Sequence, residues 1–312
     1  MAMLQMSTNK AAGSGGGDGQ LAETAVKSSH KEESYAGMVV RRFKKHKLAV
    51  AGLVIMTLLS LGAIMAPWIV PHDPYQVTEA FEAEPSAEHL LGTDQVGRDV
   101  LSRLIYAARV SLMVGLGSVL ISVTIGTVLG LVSGYFGGLV DMAVMRVTDI
   151  FMSFPQLMLI LVVVSVVGPS LTNVILILGF LGWTGAARLV RGSVLSIKQM
   201  DYVKAGVALG LGTPRILFKH ILPNALAPIL VNATFGIAGA IVSEASLSFL
   251  GLGVQPPTAS WGNMLTDAQS LTVLTSQPWL WLPPGIMIVV SVLSVNFIGD
   301  GLRDAMDPKS LK

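Results

Sequence analysis

Cysteine is absent from the 312 residues, so no disulfide framework, thiolate metal site or cysteine nucleophile is available. Charge is scarce too: 13% of residues are Asp, Glu, Lys or Arg, against about 25% in soluble domains. The formal net charge of +2 supplies no basic field, and no nucleic-acid partner is expected. No GxxxxGK[ST] segment occurs, which excludes ATP hydrolysis by a phosphate loop and leaves a partner or an ion gradient as the source of energy. The five histidines (His30, His46, His72, His89, His220) form no HExxH and no close ligand pair in the sequence, so neither a metal nor a catalytic centre is expected.

What is abundant is apolar: 52% of residues are hydrophobic. A bilayer span needs roughly 20 apolar residues, and six runs qualify, at about 48–70, 110–133, 141–166, 171–188, 226–250 and 281–300. The chain therefore reads as an all-α polytopic membrane protein with six transmembrane helices. The third and fourth runs are separated by VVGPSLTN, whose Gly168 and Pro169 mark a tight turn, so they read as a hairpin. Ahead of the first run, residues 1–36 are small and polar and read as a disordered cytoplasmic tail. No cleavable signal is expected, because the first apolar run begins only at Leu48 and is long enough to span.

Sidedness follows from local basic charge. Arg41, Arg42, Lys44, Lys45 and Lys47 precede the first span and place the N-terminus in the cytoplasm; six spans return the C-terminus to that side. Residues 71–109 hold seven acids against three arginines, as expected of an extracytoplasmic segment, whereas 188–223 hold six Lys/Arg against Asp201 alone. Trp68, Trp279 and Trp281 fall where an outer aromatic belt would lie. Residues 37–47 mix Met38, Val39 and Phe43 with basic residues, which fits either an elbow helix in the cytoplasmic interface or a topogenic charge cluster.

The cytoplasmic stretch 199–223 carries specific local signals. Tyr202, Ala205, Gly206 and Leu209 recur at helical spacing, Gly210 and Gly212 suit a C-terminal cap, and Thr213 with Pro214 suits an N-cap and first position. A helix, a break and a second helix ending before Pro223 are predicted. Small residues at 205 and 206 suit the close approach of a docking surface; a loop that skims the membrane and contacts nothing is the alternative.

Elsewhere, Gly92-Thr93-Asp94 and Gly97-Arg98-Asp99 precede an apolar face (Val100, Leu101, Leu104, Ile105, Ala108) that leads helically into span two, so Asp94 or Asp99 reads as its cap. Glu244 is the one acid well inside span five, which makes it a candidate pathway group or a paired structural residue. Arg146 and Asp149 have the spacing of a helical ion pair. Gly115, Gly117, Gly126 and Gly130 in span two suit close helix packing.

The loop resembles the EAA loop of ABC importer inner-membrane permeases: EAA, three residues, Gly, nine residues, Ile, one residue, Leu-Pro. Here Lys204-Ala205-Gly206, Gly210 and His220-Ile221-Leu222-Pro223 fall at that spacing, with Lys204, Gly206 and His220 departing from the usual residue types. "HLLGTDQVGRDVLSRLIYAARVSL", "GYFGGLVDMAVMRVTDIFMSFPQLML", "SEASLSFLGLGVQPPTASWGNML" and "NFIGDGLRDAMDPK" resemble the C-type permeases of the dipeptide, oligopeptide and nickel subgroup. The likeness runs from about 37 to 309.

The resemblance implies a type I importer permease fold of the MetI-like kind, with a core at 110–309. It implies ATPase coupling through Tyr202, Lys204, Ala205, Gly206, Gly210, His220 and Pro223, and an outer motif of Thr93, Asp94, Gly97, Arg98 and Asp99 near a receptor-docking surface. No cofactor is expected in this chain, ATP and Mg being held by partner subunits. The implied partners are a homologous second permease, two ABC ATPases, an extracytoplasmic substrate-binding protein and the lipid of a bacterial cytoplasmic membrane. Import of di- or oligopeptides is the function so implied. Nickel or another small solute through the same machinery, and ion-coupled secondary transport, are the alternatives; a membrane-embedded hydrolase would need a catalytic cluster that the sequence does not supply.

Overall fold

The structure, a computed structural model, describes residues 35–307. Apart from Tyr35 and Ala36, which begin a helix, the expected tail at 1–36 lies outside the described residues. The elements in order are α1 (Tyr35–Lys45), α2 (Lys47–Ile69), α3 (Val100–Phe136), α4 (Gly138–Met152), α5 (Gln156–Val167), α6 (Leu171–Leu181), α7 (Trp183–Lys198) and α8 (Asp201–Ala208). They continue with α9 (Thr213–Ile216), a π turn (Leu217–Ile221), α10 (Leu222–Phe249), α11 (Trp261–Met264), a 3₁₀ turn (Leu265–Gln269), α12 (Leu271–Ser276) and α13 (Pro278–Met306). Five helices or helix runs are long and apolar enough to cross a membrane: Lys47–Ile69, Val100–Phe136, Leu171–Lys198, Thr213–Phe249 and Pro278–Met306.

The sixth candidate is a bent helix pair, with the geometry of a broken span or a re-entrant loop. The continuous run expected at 141–166 is instead α4 and α5, bent by 83° across residues 153–155. Pro155 has no N–H to give the preceding turn, and its ring disfavours helical backbone at Phe154. Helix α4 therefore closes on itself, with the Ser153 amide bonding the Asp149 and Ile150 carbonyls. The expected hairpin across Gly168 is present, since α5 stops there at a glycine with φ 92° and α6 restarts under the Ser170 cap.

The run expected at 171–188 reaches Lys198, because the arginines on its extension find acids. Arg188 meets Asp149 at 2.7 Å and Arg191 meets Asp141 at 2.5 Å, so Asp149 pairs across helices rather than with Arg146 on its own.

Helix α3 is the axle. Its first turns enter one core with Ile241, Trp261, Met264 and Leu280; Val114 enters a second core with Ile160 and Val174; Leu131 enters a third with Val190, Val194 and Ile216. Small residues bring the helices together as the sequence suggested. A Cβ on Gly126 would lie 2.5 Å from Ala186 Cβ, and on Gly130 2.6 Å from the Ala187 carbonyl, so α3 and α7 touch nearly backbone to backbone. Gly115 and Gly117 face Ile241 and Ile175 at 3.0 and 3.2 Å. Gly52 of α2 approaches the Ser294 carbonyl of α13 in the same way, at 2.5 Å.

Of the three tryptophans expected in a belt, Trp68 is 78% exposed, while Trp279 and Trp281 are half-buried against the core of Trp261 and Leu280, where the Trp279 ring covers Gly92. Helix α1 forms where an elbow helix or a topogenic charge cluster was expected, with Val39 buried and the Phe43 ring against Gly301 of α13. His46 ends it and caps α2 through Nδ1, which accepts from the Ala49 amide at 3.1 Å.

Candidate functional site

The loop at 199–223 folds as helix, break and helix. Helix α8 stops in a Schellman arrangement: the Leu211 amide bonds the Gly206 carbonyl at 3.1 Å and the Gly210 amide bonds the Val207 carbonyl at 3.0 Å. Gly210 sits at φ 75°, the left-handed region where a side chain is strained. Gly212, not Thr213, precedes α9 as its cap residue, so Thr213 is the first helical residue and Pro214 the second.

The second helix does not end before Pro223. It widens into the π turn, where the Leu222 amide reaches back five residues to the Leu217 carbonyl, and then runs on through Pro223 as α10. A π turn alters the donor register just where proline removes a donor, so the chain stays helical. The loop is thus rooted in the span Thr213–Phe249.

Its inner face is held by Val203, Ile216 and Ile221, packed with Val190, Val194 and Ile197. Gly206 is buried too, with the loop's own Leu211 Cδ1 3.3 Å from where its Cβ would be, so it faces its own chain rather than an incoming surface. Tyr202, Lys204, Ala205, Gly210 and Pro223 are exposed, and His220 is half-buried with its ring 6.4 Å from that of Tyr202. Sequence reasoning missed the loop's large exposed apolar groups besides Tyr202: Met200, Val207, Phe218 and Leu209, the last 81% exposed. Leu209 was read only as part of a helical repeat, yet as the last residue before Gly210 it lies at the cap, where no neighbouring helix covers it.

The outer motif is a cross-braced turn. The Thr93 hydroxyl donates to the Ala80 carbonyl and accepts from the Ala83 amide at 2.8 Å. Asp94 Oδ1 accepts from the amides of Val96 and Arg98, while Oδ2 meets Arg98 Nε at 2.7 Å and Arg103 Nε at 3.4 Å. The Gly97 carbonyl accepts from the Thr78 hydroxyl at 2.7 Å. Asp99 is the cap of α3, accepting from the Ser102 amide at 2.8 Å and hydroxyl at 2.6 Å, whereas Asp94 caps nothing.

His89 Nδ1 lies 3.0 Å from Asp99 Oδ1, and the His72 ring is 4.8 Å from that of His89. Folding thus gathers His72, His89 and Asp99, a ligand-type cluster that sequence spacing did not reveal. Both Asp99 oxygens and one nitrogen of each ring already bond within the segment, His72 Nε2 to the Glu88 carbonyl at 2.9 Å, which makes the cluster a brace for the start of α3.

A cavity of about 290 Å³ opens beside this turn, lined by Asp94, Arg98, Arg103 and Asp267 among others. Burial, with the Asp94 charge adding and Arg103 and Arg98 opposing, pushes the Asp267 carboxyl up to about 6. Asp267 arrives from the far end of the chain and carried no local signal.

Glu244 is fully buried. It accepts from Ser248 Oγ at 2.7 Å and Ser111 Oγ at 3.2 Å, and Ser111 Oγ in turn accepts the Trp261 amide at 3.1 Å, so the carboxyl ties α10 to α3 and α11. It lines neither the cavity beside Asp267 nor a second cavity of about 350 Å³ between α3, α5–α7 and α10.

Long apolar helices around one central span, with one span broken and another extended into a polar loop, define a multi-pass membrane protein. The chain belongs to the family described as binding-protein-dependent transport system inner membrane component, which matches residues 126–312. Residues 34–86 match a second family, the N-terminal TM domain of oligopeptide transport permease C.

Among its relatives is the dipeptide transport system permease protein of Alkalihalophilus pseudofirmus, 44% identical over 86% of this chain and 88% of that protein. The oligopeptide transport system permease protein of Bacillus subtilis is 41% identical over 92% and 94%. The di/tripeptide transport system permease protein of Pseudomonas aeruginosa is 42% identical over 86% and 90%. In fold the chain is similar to a chain of the MetNI methionine ABC transporter in an inward-facing conformation, with TM-score 0.52, 19% identity and coverage of 66% of this chain and 97% of that one.

Proposed function

We propose that the chain is the permease subunit of a peptide importer, passing di- or oligopeptides delivered by an extracytoplasmic binding protein, with a homologous second permease completing the pathway. ATP and Mg are held by two ATPase subunits that dock on 199–223, and both ends of the chain lie in the cytoplasm. The observation that carries the coupling role is the continuity of the loop with α10: force applied at α9 passes through the π turn into a membrane span without a flexible joint. The basic balance of 188–223 against the acidic 71–109 supports the orientation. The names of relatives at 41–44% identity support the cargo class.

In this reading Tyr202, Lys204 and Ala205, with the exposed Val207, Leu209 and Phe218, meet the ATPase. Gly206 and Gly210 shape the surface from within, and His220 and Pro223 stand at the root. The extracytoplasmic segment 71–99, braced by Thr93, Asp94, Gly97, Arg98 and Asp99, lies near the receptor. Expression of the chain with its neighbouring transporter genes in a host lacking peptide uptake is expected to restore accumulation of a labelled dipeptide. Accumulation of nickel and no peptide would contradict the cargo assignment while leaving the machinery intact.

A further inference from the structure

The cavity of about 350 Å³ between α3, the start of α5, the α6–α7 junction and α10 is unlike the lipid-facing surface around it. Ser118, Ser122, Gln156, Asn232 and Ser243 line it, and no charged residue does. All five belong to candidate spans or to the broken pair. Polar side chains at that depth are costly unless they face protein, water or a ligand. Its volume falls at the small end of ligand pockets, which run from roughly 300 to 1,000 Å³.

The lining groups divide into two kinds. Each serine spends its proton on its own helix: Ser118 Oγ donates to the Val114 carbonyl at 2.6 Å, Ser122 to Val119 at 3.1 Å and Ser243 to Gly239 at 2.8 Å. Their oxygens remain as acceptors. The carboxamides of exposed Gln156 and half-buried Asn232 have no hydrogen-bond partner among the described residues, so each offers two N–H donors and a carbonyl oxygen. Donors and acceptors without charge complement a peptide bond, which has one N–H and one C=O. A fixed charge among these groups would repel cargo side chains of like sign, the more strongly the lower the local dielectric.

Placement adds a mechanical link. Gln156 is the first helical residue after the bend between α4 and α5, where irregular backbone at membrane depth is tolerated because it borders a cavity. Asn232 is on α10, the helix in which the coupling loop is rooted. A shift of that loop therefore moves Asn232 relative to Gln156.

We propose that the Gln156 and Asn232 carboxamides form a charge-blind contact site for the backbone of a passing peptide, inside the span region of this subunit. The inference rests on the peptide-import reading. Unchanged side-chain charge preference follows from it, because the site reads only amides.

The test uses the whole transporter with wild-type partners and three tripeptides of acidic, neutral and basic side chains. Asn232→Leu and Gln156→Leu are each expected to lower uptake of all three by a common factor of about 3 to 10, the cost of one lost neutral hydrogen bond, while Asn232→Gln keeps most of it. Because the chain has no cysteine, Asn232→Cys introduces its single thiol. That thiol is expected to react with a water-soluble thiosulfonate and to be protected by saturating cargo with its binding protein. Unchanged uptake in both leucine variants, loss confined to one charge class, or labelling that cargo does not slow would each overturn the site. Failure of the wild-type transporter to import any of the three peptides would instead count against the function on which it rests.

Discussion

Asp267 is the residue whose surroundings make the sharpest chemical statement. Its carboxyl is raised from an ordinary value of 3.8 to about 6, mainly by burial. An acid with a raised folded-state pKa binds its proton more tightly folded than unfolded, so stability is fully present below about 4 and declines as pH rises through about 6. Asp267→Asn removes that decline. Thermal unfolding in detergent is expected to show the variant melting above wild type at pH 7.5, with the two converging near pH 4; a constant offset at all pH values would mean that Asp267 contributes packing and not charge. Neither this residue nor the His72–His89–Asp99 brace was legible in the sequence, because Asp267 meets Asp94 and Arg103 only across the fold and the brace depends on how the irregular segment 72–99 folds back on itself. Asp99 itself was legible: an acid immediately before an apolar helical face is a cap, and it caps α3. Glu244 was legible as a special position, but its partners Ser111 and Ser248 appear only once α3 and α10 are packed.

At the scale of elements, glycine and proline account for most of what was readable and for most of what was missed. Gly210 was expected near a helix end, and it occupies the left-handed position of the Schellman cap. Pro155 sat unremarked inside an apolar run that length alone made into one span, and the chain breaks there by 83°. Pro223 was expected to end a helix, but the π turn before it lets the helix continue. The glycines of α3 were readable as packing positions, and the structure says against what. Gly130→Leu would drive a side chain into the Ala187 carbonyl and Val190, at a cost of about 1 to 3 kcal/mol typical of overpacking. A Cβ on Gly62 meets nothing within 4 Å, so Gly62→Leu serves as the matched control. The α3–α7 variant is expected to lower the melting temperature of the detergent-solubilised chain, and equal behaviour of the two would mean that α3 and α7 do not touch as described.

For the whole molecule, hydropathy was enough to find five spans and motif spacing enough to find the family, because both are local in sequence, while the bent pair at 138–167 passed as a continuous sixth. Cavities, braces and the exposed face of the loop were not legible, because they depend on which spans are neighbours. The resulting picture is a bundle about α3 whose most protruding apolar side chain on the loop, Leu209, lies one helix away from a membrane span. The claim that motion enters there is tested most directly in proteoliposomes holding the chain, its partner permease and both ATPases, supplied with the peptide-loaded binding protein, with uptake and ATP hydrolysis read together. Leu209→Glu places a charge on that contact while leaving the buried inner face of the loop untouched. It is expected to insert normally and to lose both peptide uptake and peptide-stimulated hydrolysis by about 10-fold or more, the scale of a lost interface hot spot. Uptake that continues without the ATPases and stops when a proton gradient is collapsed would contradict it.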